Sequence, residues 1–311
     1  MTLSRTPNRI PLHKLGPRCG PTDWLMLPAP AKINLFLEIQ GRREDGFHEL
    51  DTIMAPLRLA DRLWFRPLLE TTQIKLTVVG PRKSSAPAGD QNLVVRAVER
   101  VRNQTGVSLG AEIVLEKNIP SEAGMGGGSS DAAAALLLAR SGWRLDLPNS
   151  ELTQLAAGIG SDVPFFLAGG PALCRGRGEQ VRPINAPAGM PLVIVKPLNG
   201  LSTPAVYQRH AELARSAPHR SSATLIEALA RGDWQTAIRQ QFNRLEEPAF
   251  QLAQGLNQLA TQLNSIGGLV WRMTGSGSAM FALTPNFRRA RQLAAQLRQQ
   301  NLGSVMATRL A

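Results

Sequence analysis

A cluster of glycines limits the conformations open to this chain more than any other segment. Four glycines fall within five residues: Gly124, Gly126, Gly127 and Gly128. Glycine permits positive φ and lets the backbone approach a bound group closely. Ser129 and Ser130 follow and are good N-cap residues for the Ala- and Leu-rich helix predicted after them. Free amides at a helix start favour anions, so the segment predicts a phosphate-binding loop. A structural glycine turn that caps a buried helix is the alternative.

Two common glycine-rich phosphate motifs do not fit this cluster. No Lys-Ser or Lys-Thr pair closes it, so it is not a Walker A loop. The spacing of the dinucleotide-binding fingerprint fails at Ser129. Asp131 lies in the first turn of the predicted helix, where it suits the helix dipole but would repel a nearby phosphate. We therefore expect the Asp131 side chain to point sideways.

The net charge is strongly positive but unevenly distributed. The chain has 35 Lys and Arg against 23 Asp and Glu, a formal charge of +12. Residues 1–24 contribute +3 of this surplus and residues 248–311 contribute +6. Basic ends with few aromatic residues are weak evidence for RNA binding. A solvated helix face and a basic leader account for the charge as well, and we predict no nucleic-acid partner.

Length and composition exclude other classes of protein. The 311 residues allow about two domains. The longest apolar run spans residues 132–139, far short of the ~20 residues of a membrane helix. Cys19 and Cys174 are the only cysteines, too few for a disulfide framework and without metal-ligand spacing. We expect a cytoplasmic protein without a membrane partner.

The sequence predicts a leader followed by two domains. Residues 1–26 show no sustained periodicity and are interpreted as a flexible leader. An organelle transit peptide, which would place the protein in the plastid stroma, is the alternative, but the leader has only one Ser. The proline-rich residues 183–191 mark a boundary between an N-terminal domain at 27–187 and a C-terminal domain at 188–311.

Periodicity predicts a mixture of strands and helices. Residues 31–40 alternate between two faces, as a strand does. Further strands are predicted over 47–54, 62–66, 74–79, 112–116, 192–196, 269–273, 279–283 and 304–308. Helices are predicted over 92–104, 203–214, 222–231, 233–242, 247–264 and 286–299. Antiparallel pairs with segregated helices favour an α+β fold over a doubly wound sheet.

Few polar residues stand out as reactive. The four histidines form no metal-binding pattern and there is no G-x-S-x-G elbow, which leaves phosphoryl transfer. Lys32 and Asn34 share the polar face of the strand at 31–40, where solvation is the usual state of a lysine; if both faces are covered, its charge needs a partner. Asp162 fits a helix cap and a catalytic base equally well. Gly275 and Gly277 alone indicate only a hairpin turn.

Four segments taken together resemble the GHMP kinase superfamily. They span residues 28–50, 119–133, 159–170 and 274–282, and their order along the chain makes the resemblance specific. The resemblance implies a two-domain α+β fold. Its N-terminal domain would be like domain 2 of ribosomal protein S5, and its C-terminal domain would be ferredoxin-like.

The resemblance also implies an activity. The γ-phosphate of ATP would pass to the 2-hydroxyl of 4-diphosphocytidyl-2-C-methyl-D-erythritol, in the non-mevalonate isoprenoid pathway, with Mg²⁺ held through the phosphates. The aromatic-His pair in "DGFHE" favours a cytosine site over the related homoserine, mevalonate and phosphomevalonate kinases. An RNA-binding protein with an S5-like domain is the alternative outside this class.

Residue roles follow from the matching motif positions. Asp162 would take the proton of the substrate hydroxyl, and Lys32 would keep it ionised and neutralise charge as the phosphoryl group moves. Lys117 and Asn92 would lie near the adenine or ribose. The residues implied to wrap the ATP phosphates are Pro120, Ser121, Glu122, Ala123, Gly124, Met125, Gly126, Gly127, Gly128, Ser129 and Ser130.

On the substrate side, His48 would bind the cytosine edge. Phe47, where the family often has Tyr, and Tyr207 would stack on the faces of the base. Asn34 and Thr203 would contact the diphosphate or polyol. The second glycine turn would line the same cleft near the reacting groups, with Gly275, Ser276 and Gly277.

Overall fold

The computed structural model describes residues 23–213, 218–266 and 268–311. Within them the strands are β1 (Leu25–Arg42), β2 (His48–Leu68), β3 (Ile74–Val79), β4 (Gly110–Glu116), β5 (Ala172–Gly176), β6 (Gln180–Pro183), β7 (Pro191–Lys196), β8 (Phe242–Asn243), β9 (Trp271–Met273), β10 (Met280–Leu283) and β11 (Ser304–Arg309). The helices are α1 (Leu93–Thr105), α2 (Gly127–Gly142), α3 (Asn149–Ile159), α4 (Val163–Ala168), α5 (Thr203–Leu213), α6 (Ala223–Arg231), α7 (Trp234–Arg239), α8 (Glu246–Leu252), α9 (Gln254–Asn264) and α10 (Phe287–Arg298). Short 3₁₀ helices lie at Lys83–Ser85 and Gly89–Gln91. Of the leader predicted at 1–26, residues 1–22 lie outside the described residues.

The larger sheet is built around the long hairpin of β1 and β2. Its order is β3-β4-β2-β1-β8, and β5 and β6 extend it from the other end of β2. The sequence predicts two strands, at 47–54 and 62–66, where the structure has the single strand β2. The pairing with β1 jumps from Ala60 to Pro56, so a bulge takes up the irregular segment between them. The strand therefore continues where the sequence pattern breaks.

The smaller sheet has four antiparallel strands in the order β11-β7-β10-β9. Numbered along the chain this is the order 4-1-3-2, as in a ferredoxin-like sheet. The helices between β7 and β9 and the helix α10 complete a mixed architecture. The predicted α+β class is confirmed.

A shared apolar core joins the two sheets. Ile33 of β1, Ile53 of β2, Ile194 of β7 and Phe281 of β10 are fully buried in one cluster. A second cluster packs α1 and α2 on the larger sheet, with Phe65 and Trp143 edge to face at 5.6 Å. The start of α2 is thereby held at the junction of the sheets.

The structure differs from the predicted pattern at a few elements. Residues 247–264 form two helices, α8 and α9, because Ala253 takes an extended conformation between them. Strands β5 and β6 are short and were not predicted.

In the part of the chain that the structure describes, none of the helices combines the length and apolar character that crossing a membrane would take.

Candidate active site

A cavity of about 940 Å³ lies where the glycine segment meets the turn between β9 and β10. Almost every site residue predicted from the sequence lines it. These residues are Lys32, Asn34, Phe47, His48, Asn92, Lys117, Pro120, Ser121, Glu122, Ala123, Gly124, Met125, Gly126, Gly127, Gly128, Ser129, Asp162, Thr203, Tyr207, Gly275 and Ser276. Residues far apart in sequence are thus brought into one space.

Two predicted site residues do not line the cavity. Ser130 is 1% exposed, and its hydroxyl has no hydrogen-bond partner among the described residues. The N-cap of α2 is Gly126 rather than either serine, so the N-cap prediction was wrong and Ser130 lies within the helix. Gly277 faces the side chains of Met273 and Leu201 instead of the cavity.

The glycine segment is shaped by the elements around it. Gly124 has φ 68°, and a Cβ there would lie 2.0 Å from the carbonyl oxygen of Thr274. Only glycine therefore allows this close approach. The backbone amide of Lys32 donates to the Met125 carbonyl at 2.9 Å, and that of Ala279 donates to the Ala123 carbonyl at 3.4 Å. Both sheets thus hold the loop that begins α2.

Lys32 and Asp162 face each other across the cavity floor. The Lys32 Nζ lies 3.5 Å from Asp162 Oδ2, and the side chains are 4% and 33% exposed. The buried strand lysine therefore has a charged partner. Asp162 occupies the N-cap position of α4, but its side chain makes no capping hydrogen bond. Its carboxylate is available to a ligand, which favours the catalytic interpretation over the cap.

A hydrogen-bond network fixes the groups around Lys32. Lys32 Nζ donates to Asn34 Oδ1 at 2.5 Å, and Asn34 Nδ2 donates to Thr52 Oγ1 at 2.8 Å. The Asn34 backbone amide donates to Thr274 Oγ1 at 3.0 Å. Gly275 lies directly over the pair, since a Cβ there would be 3.3 Å from Lys32 Nζ. The lysine is thus held in one position.

Three residues of this network were missed by the sequence analysis. Asn243 donates to the carbonyls of Met273 and Gly275, both at 2.8 Å, and so supports the second glycine turn. Thr52 and Thr274 orient Asn34. Asn243 belongs to the segment "FNRLEEP", but a single sequence carries no signal for these long-range contacts.

Lys117 belongs to a buried ionic cluster. Its Nζ donates to Asp61 Oδ2 and, at 2.7 Å, to Asp131 Oδ2, and all three residues are buried. The Asp131 side chain points sideways, as expected. Burial, and then the charge of Asp61, raise the pKa of Asp131 to about 7, although Lys117 opposes the shift. Burial acts to lower the pKa of Lys117, but Asp131 and Asp61 raise it overall.

Asn92 also lies at this end of the cavity. It caps α1, because its Oδ1 accepts from the Val94 amide at 3.0 Å. Its Nδ2 donates to the Pro87 carbonyl at 2.8 Å. These bonds occupy both ends of the side-chain amide.

Aromatic rings line the opposite end of the cavity. The rings of His48 and Tyr207 have centroids 5.0 Å apart, while Phe47 is 49% exposed. Burial, and then the charge of Arg42, lower the pKa of His48. A neutral imidazole presents one donor and one acceptor, as the edge of a heterocyclic base does. Burial, and then the charge of Asp162, raise the pKa of Tyr207.

Comparisons with known proteins agree with this geometry. The sequence profile of the GHMP kinases N terminal domain matches residues 92–170, and that of the GHMP kinases C terminal domain matches 225–302. A 4-diphosphocytidyl-2-C-methyl-D-erythritol kinase of Pelotomaculum thermopropionicum is 40% identical over 87% of this chain and 93% of its own. A crystal structure of 4-(cytidine 5'-diphospho)-2C-methyl-D-erythritol kinase is 37% identical, with a TM-score of 0.78 over 92% of this chain and 99% of that one. A homoserine kinase of Cytophaga hutchinsonii has a TM-score of 0.70 over 94% of this chain and 96% of its own, but at 18% identity it shares the fold alone.

Proposed function

We infer the function from the family, since the chain belongs to the 4-diphosphocytidyl-2-C-methyl-D-erythritol kinases among the GHMP kinases. It is an ATP-dependent phosphotransferase that phosphorylates the 2-hydroxyl of 4-diphosphocytidyl-2-C-methyl-D-erythritol in the non-mevalonate isoprenoid pathway. The observation that carries this function is that the glycine loop, the Lys32–Asp162 pair and the aromatic residues around His48 all line one cavity.

The chemical step needs an oriented hydroxyl and neutralised charge. Asp162 accepts the proton of the 2-hydroxyl as the hydroxyl oxygen attacks the γ-phosphorus. The bond between the γ-phosphorus and the β–γ bridging oxygen breaks, and ADP leaves. Lys32, 3.5 Å away, stabilises the carboxylate and the charge that moves with the phosphoryl group. The free backbone amides before α2 bind the β- and γ-phosphates. This division of roles is supported by the 33% exposure of Asp162 beside an almost fully buried ammonium.

The donor end of the cavity holds ATP. Asn92 and the Lys117 cluster form the part nearest the base and ribose. Among the described residues, no group of three or more His, Cys, Asp and Glu side chains could jointly hold a metal ion. In this proposal Mg²⁺ would be held mainly through the phosphates, and the Ser129 hydroxyl could add a neutral oxygen ligand.

The acceptor end holds the cytidine substrate. His48 hydrogen-bonds the cytosine edge, and Phe47 and Tyr207 contact its faces. Thr203, whose Oγ1 lies 2.7 Å from Ser276 Oγ, and Asn34 contact the diphosphate or polyol. We also propose that the protein acts in the cytoplasm and that its two domains meet near residues 187 and 188.

A substrate comparison tests this function. ATP consumption is measured with the cytidine substrate, with mevalonate and with homoserine, each against a blank without acceptor. We expect turnover with the cytidine compound alone. Turnover that does not depend on the cytidine compound would remove the specific assignment, and preference for mevalonate or homoserine would move the chain to another branch of the fold.

A further inference from the structure

Arg177 lies in the turn between β5 and β6, beside the reacting carboxylate. Its neighbours Gly176 and Gly178 have φ of 68° and 115°, so this turn needs glycine on both sides. The Gly176 amide donates to Glu49 Oε1 at 3.0 Å, and the Arg177 amide donates to Glu179 Oε2 at 2.7 Å. A Cβ at Gly178 would lie 3.7 Å from Asp162 Oδ1. The turn is thus fixed against the general base.

The Arg177 side chain extends from this turn towards the aromatic end of the cavity. Its guanidinium carbon lies 4.8 Å from the centroid of the Phe47 ring. Arg177 lines the cavity and is partly exposed. A planar guanidinium stacked on a ring keeps its N–H edges free for another ligand. Arg177 therefore spans the space between Phe47 and Asp162.

Arg177 also differs from the two lysines of the cavity. Lys32 and Lys117 are paired with the carboxylates of Asp162, Asp61 and Asp131. Among the described residues, the Arg177 guanidinium makes no hydrogen bond or ion pair with a carboxylate. Its contact is the Phe47 ring, and its charge reaches the exposed Asp45 only through space. The cavity thus contains a cation whose hydrogen-bonding edges have no acceptor among the side chains and carbonyls that the structure describes.

We propose that Arg177 binds the diphosphate of the cytidine substrate. This proposal rests on the proposed function, because the substrate presents its cytosine, its diphosphate and its reacting hydroxyl in that order. With the base beside Phe47 and His48 and the hydroxyl at Asp162, the diphosphate lies where Arg177 extends. Two N–H groups of a guanidinium match two phosphate oxygens, which a lysine cannot do.

Calorimetric binding of cytidine and of cytidine 5′-diphosphate, without ATP, tests the proposal. For Arg177→Gln we expect affinity for the diphosphate to fall about 10- to 100-fold, the range of a lost charged hydrogen bond, and affinity for cytidine to stay within about twofold. The KM of the full substrate rises by a similar factor, and kcat and the KM of ATP change little. Arg177→Lys keeps the charge but lacks the two parallel N–H groups of a guanidinium, so its loss of affinity for the diphosphate is intermediate.

Arg175→Gln is the matched control. Arg175 lies two residues earlier, in β5, is 61% exposed and pairs with Asp51 outside the cavity. We expect its binding constants to equal those of the parent. If Arg177→Gln lowers the affinities for cytidine and for cytidine 5′-diphosphate equally, Arg177 only supports Phe47. An unchanged affinity for both ligands would also overturn the proposal.

The same measurements separate this proposal from the proposed function. If the parent protein turns over the cytidine substrate while Arg177→Gln binds cytidine 5′-diphosphate normally, only the role proposed for Arg177 is wrong. If the parent binds neither cytidine nor its diphosphate and does not turn over the substrate, the proposed function fails and this inference fails with it.

Discussion

In the proposed mechanism a single carboxylate accepts the substrate proton, and its surroundings explain why it is free to do so. Asp162 precedes a six-residue helix, a position where aspartate usually caps the backbone. Here the side chain makes no such bond and instead lies 3.5 Å from the Lys32 ammonium. A group that gives up a stabilising bond to remain accessible is typical of a functional residue.

The first prediction concerns this carboxylate. Asp162→Asn keeps the shape of the side chain but removes the base, so we expect kcat to fall by about 10²- to 10⁴-fold with little change in the KM of ATP. Asp233→Asn is the control, since Asp233 is a true N-cap whose side chain accepts from the Thr236 amide at 3.0 Å. The control keeps its turnover. Near-parental turnover in Asp162→Asn would return this residue to a structural role.

The second prediction concerns the charge buried beneath Lys117. Asp131 has its pKa raised from 3.8 to about 7, so between these values the folded chain holds a proton that the unfolded chain releases. Stability linked to this group is therefore present at low pH and is lost as pH rises towards 7. We expect Asp131→Asn to raise Tm relative to the parent at pH 8, and the difference to shrink at pH 5. Calorimetric scans of both proteins at each pH measure this difference in Tm. A difference that is larger at pH 5 than at pH 8 would contradict a raised pKa of Asp131.

Single residues were predictable only where a motif marked them. The glycine loop was predicted from its own composition, and Lys32 and Asp162 were given roles because their segments resemble a family. Asp61 was not predicted as a site residue, since its contact with Lys117 depends on the register that pairs Arg62 with Glu116 across β2 and β4. Such pairings are set by the sheet, and nothing around Asp61 in the sequence signals them.

At the scale of elements, two turns interlock at the cavity where the reaction is proposed to occur. The glycine loop approaches the β9–β10 turn so closely that Gly124 has no room for a side chain beside Thr274. Asn243 of β8 holds that turn through two carbonyls, and β8 pairs with β1, which carries Lys32. A shift in any of these elements would therefore move the lysine relative to the phosphates.

The third prediction tests this interlock. Gly124→Ala combines a positive φ with a contact of 2.0 Å to a backbone oxygen, so the loop must move. We expect kcat/KM for ATP to fall at least about tenfold, since small displacements of positioning groups are costly. Gly106→Ala is the control, because it has a similar φ of 69° but nothing within 4 Å. It should lose only about 1–2 kcal/mol of stability in a denaturant titration. Equal activity in both variants would show that the contact does not shape the site.

Elements with clear local signals were predicted well. The strand at 74–79 has the predicted bounds, and α1 begins one residue after the predicted start because Asn92 is its cap. The break between α8 and α9 was not predictable, since Ala253 is a good helix former and tertiary packing overrides its preference. The continuous strand β2 was missed for a related reason: its bulge is stabilised by β1 and not by local sequence.

For the whole molecule, the charge and the cavity must be considered together. The charged side chains that line the cavity are Lys32, Arg42, Lys117, Arg177, Glu122, Asp131 and Asp162. Four are basic and three are acidic, so the lining is nearly neutral. Of the +12 surplus, +9 lies in residues 1–24 and 248–311. Attraction of anionic substrates must therefore come mainly from charges outside the site, through the long-range field of the molecule.

The last prediction follows from this separation. Because distant exposed charges are screened beyond about 10 Å at 0.1 M salt, kcat/KM for the cytidine substrate should fall roughly two- to tenfold between about 0.02 and 0.5 M salt. The value of kcat should change little, since the paired Lys32 and Asp162 are in contact and weakly screened. The double variant Arg288→Gln and Arg291→Gln on the exposed side of α10 should flatten the salt dependence without altering kcat at high salt. An unchanged salt dependence in this variant would mean that the basic C-terminal region does not steer the substrates.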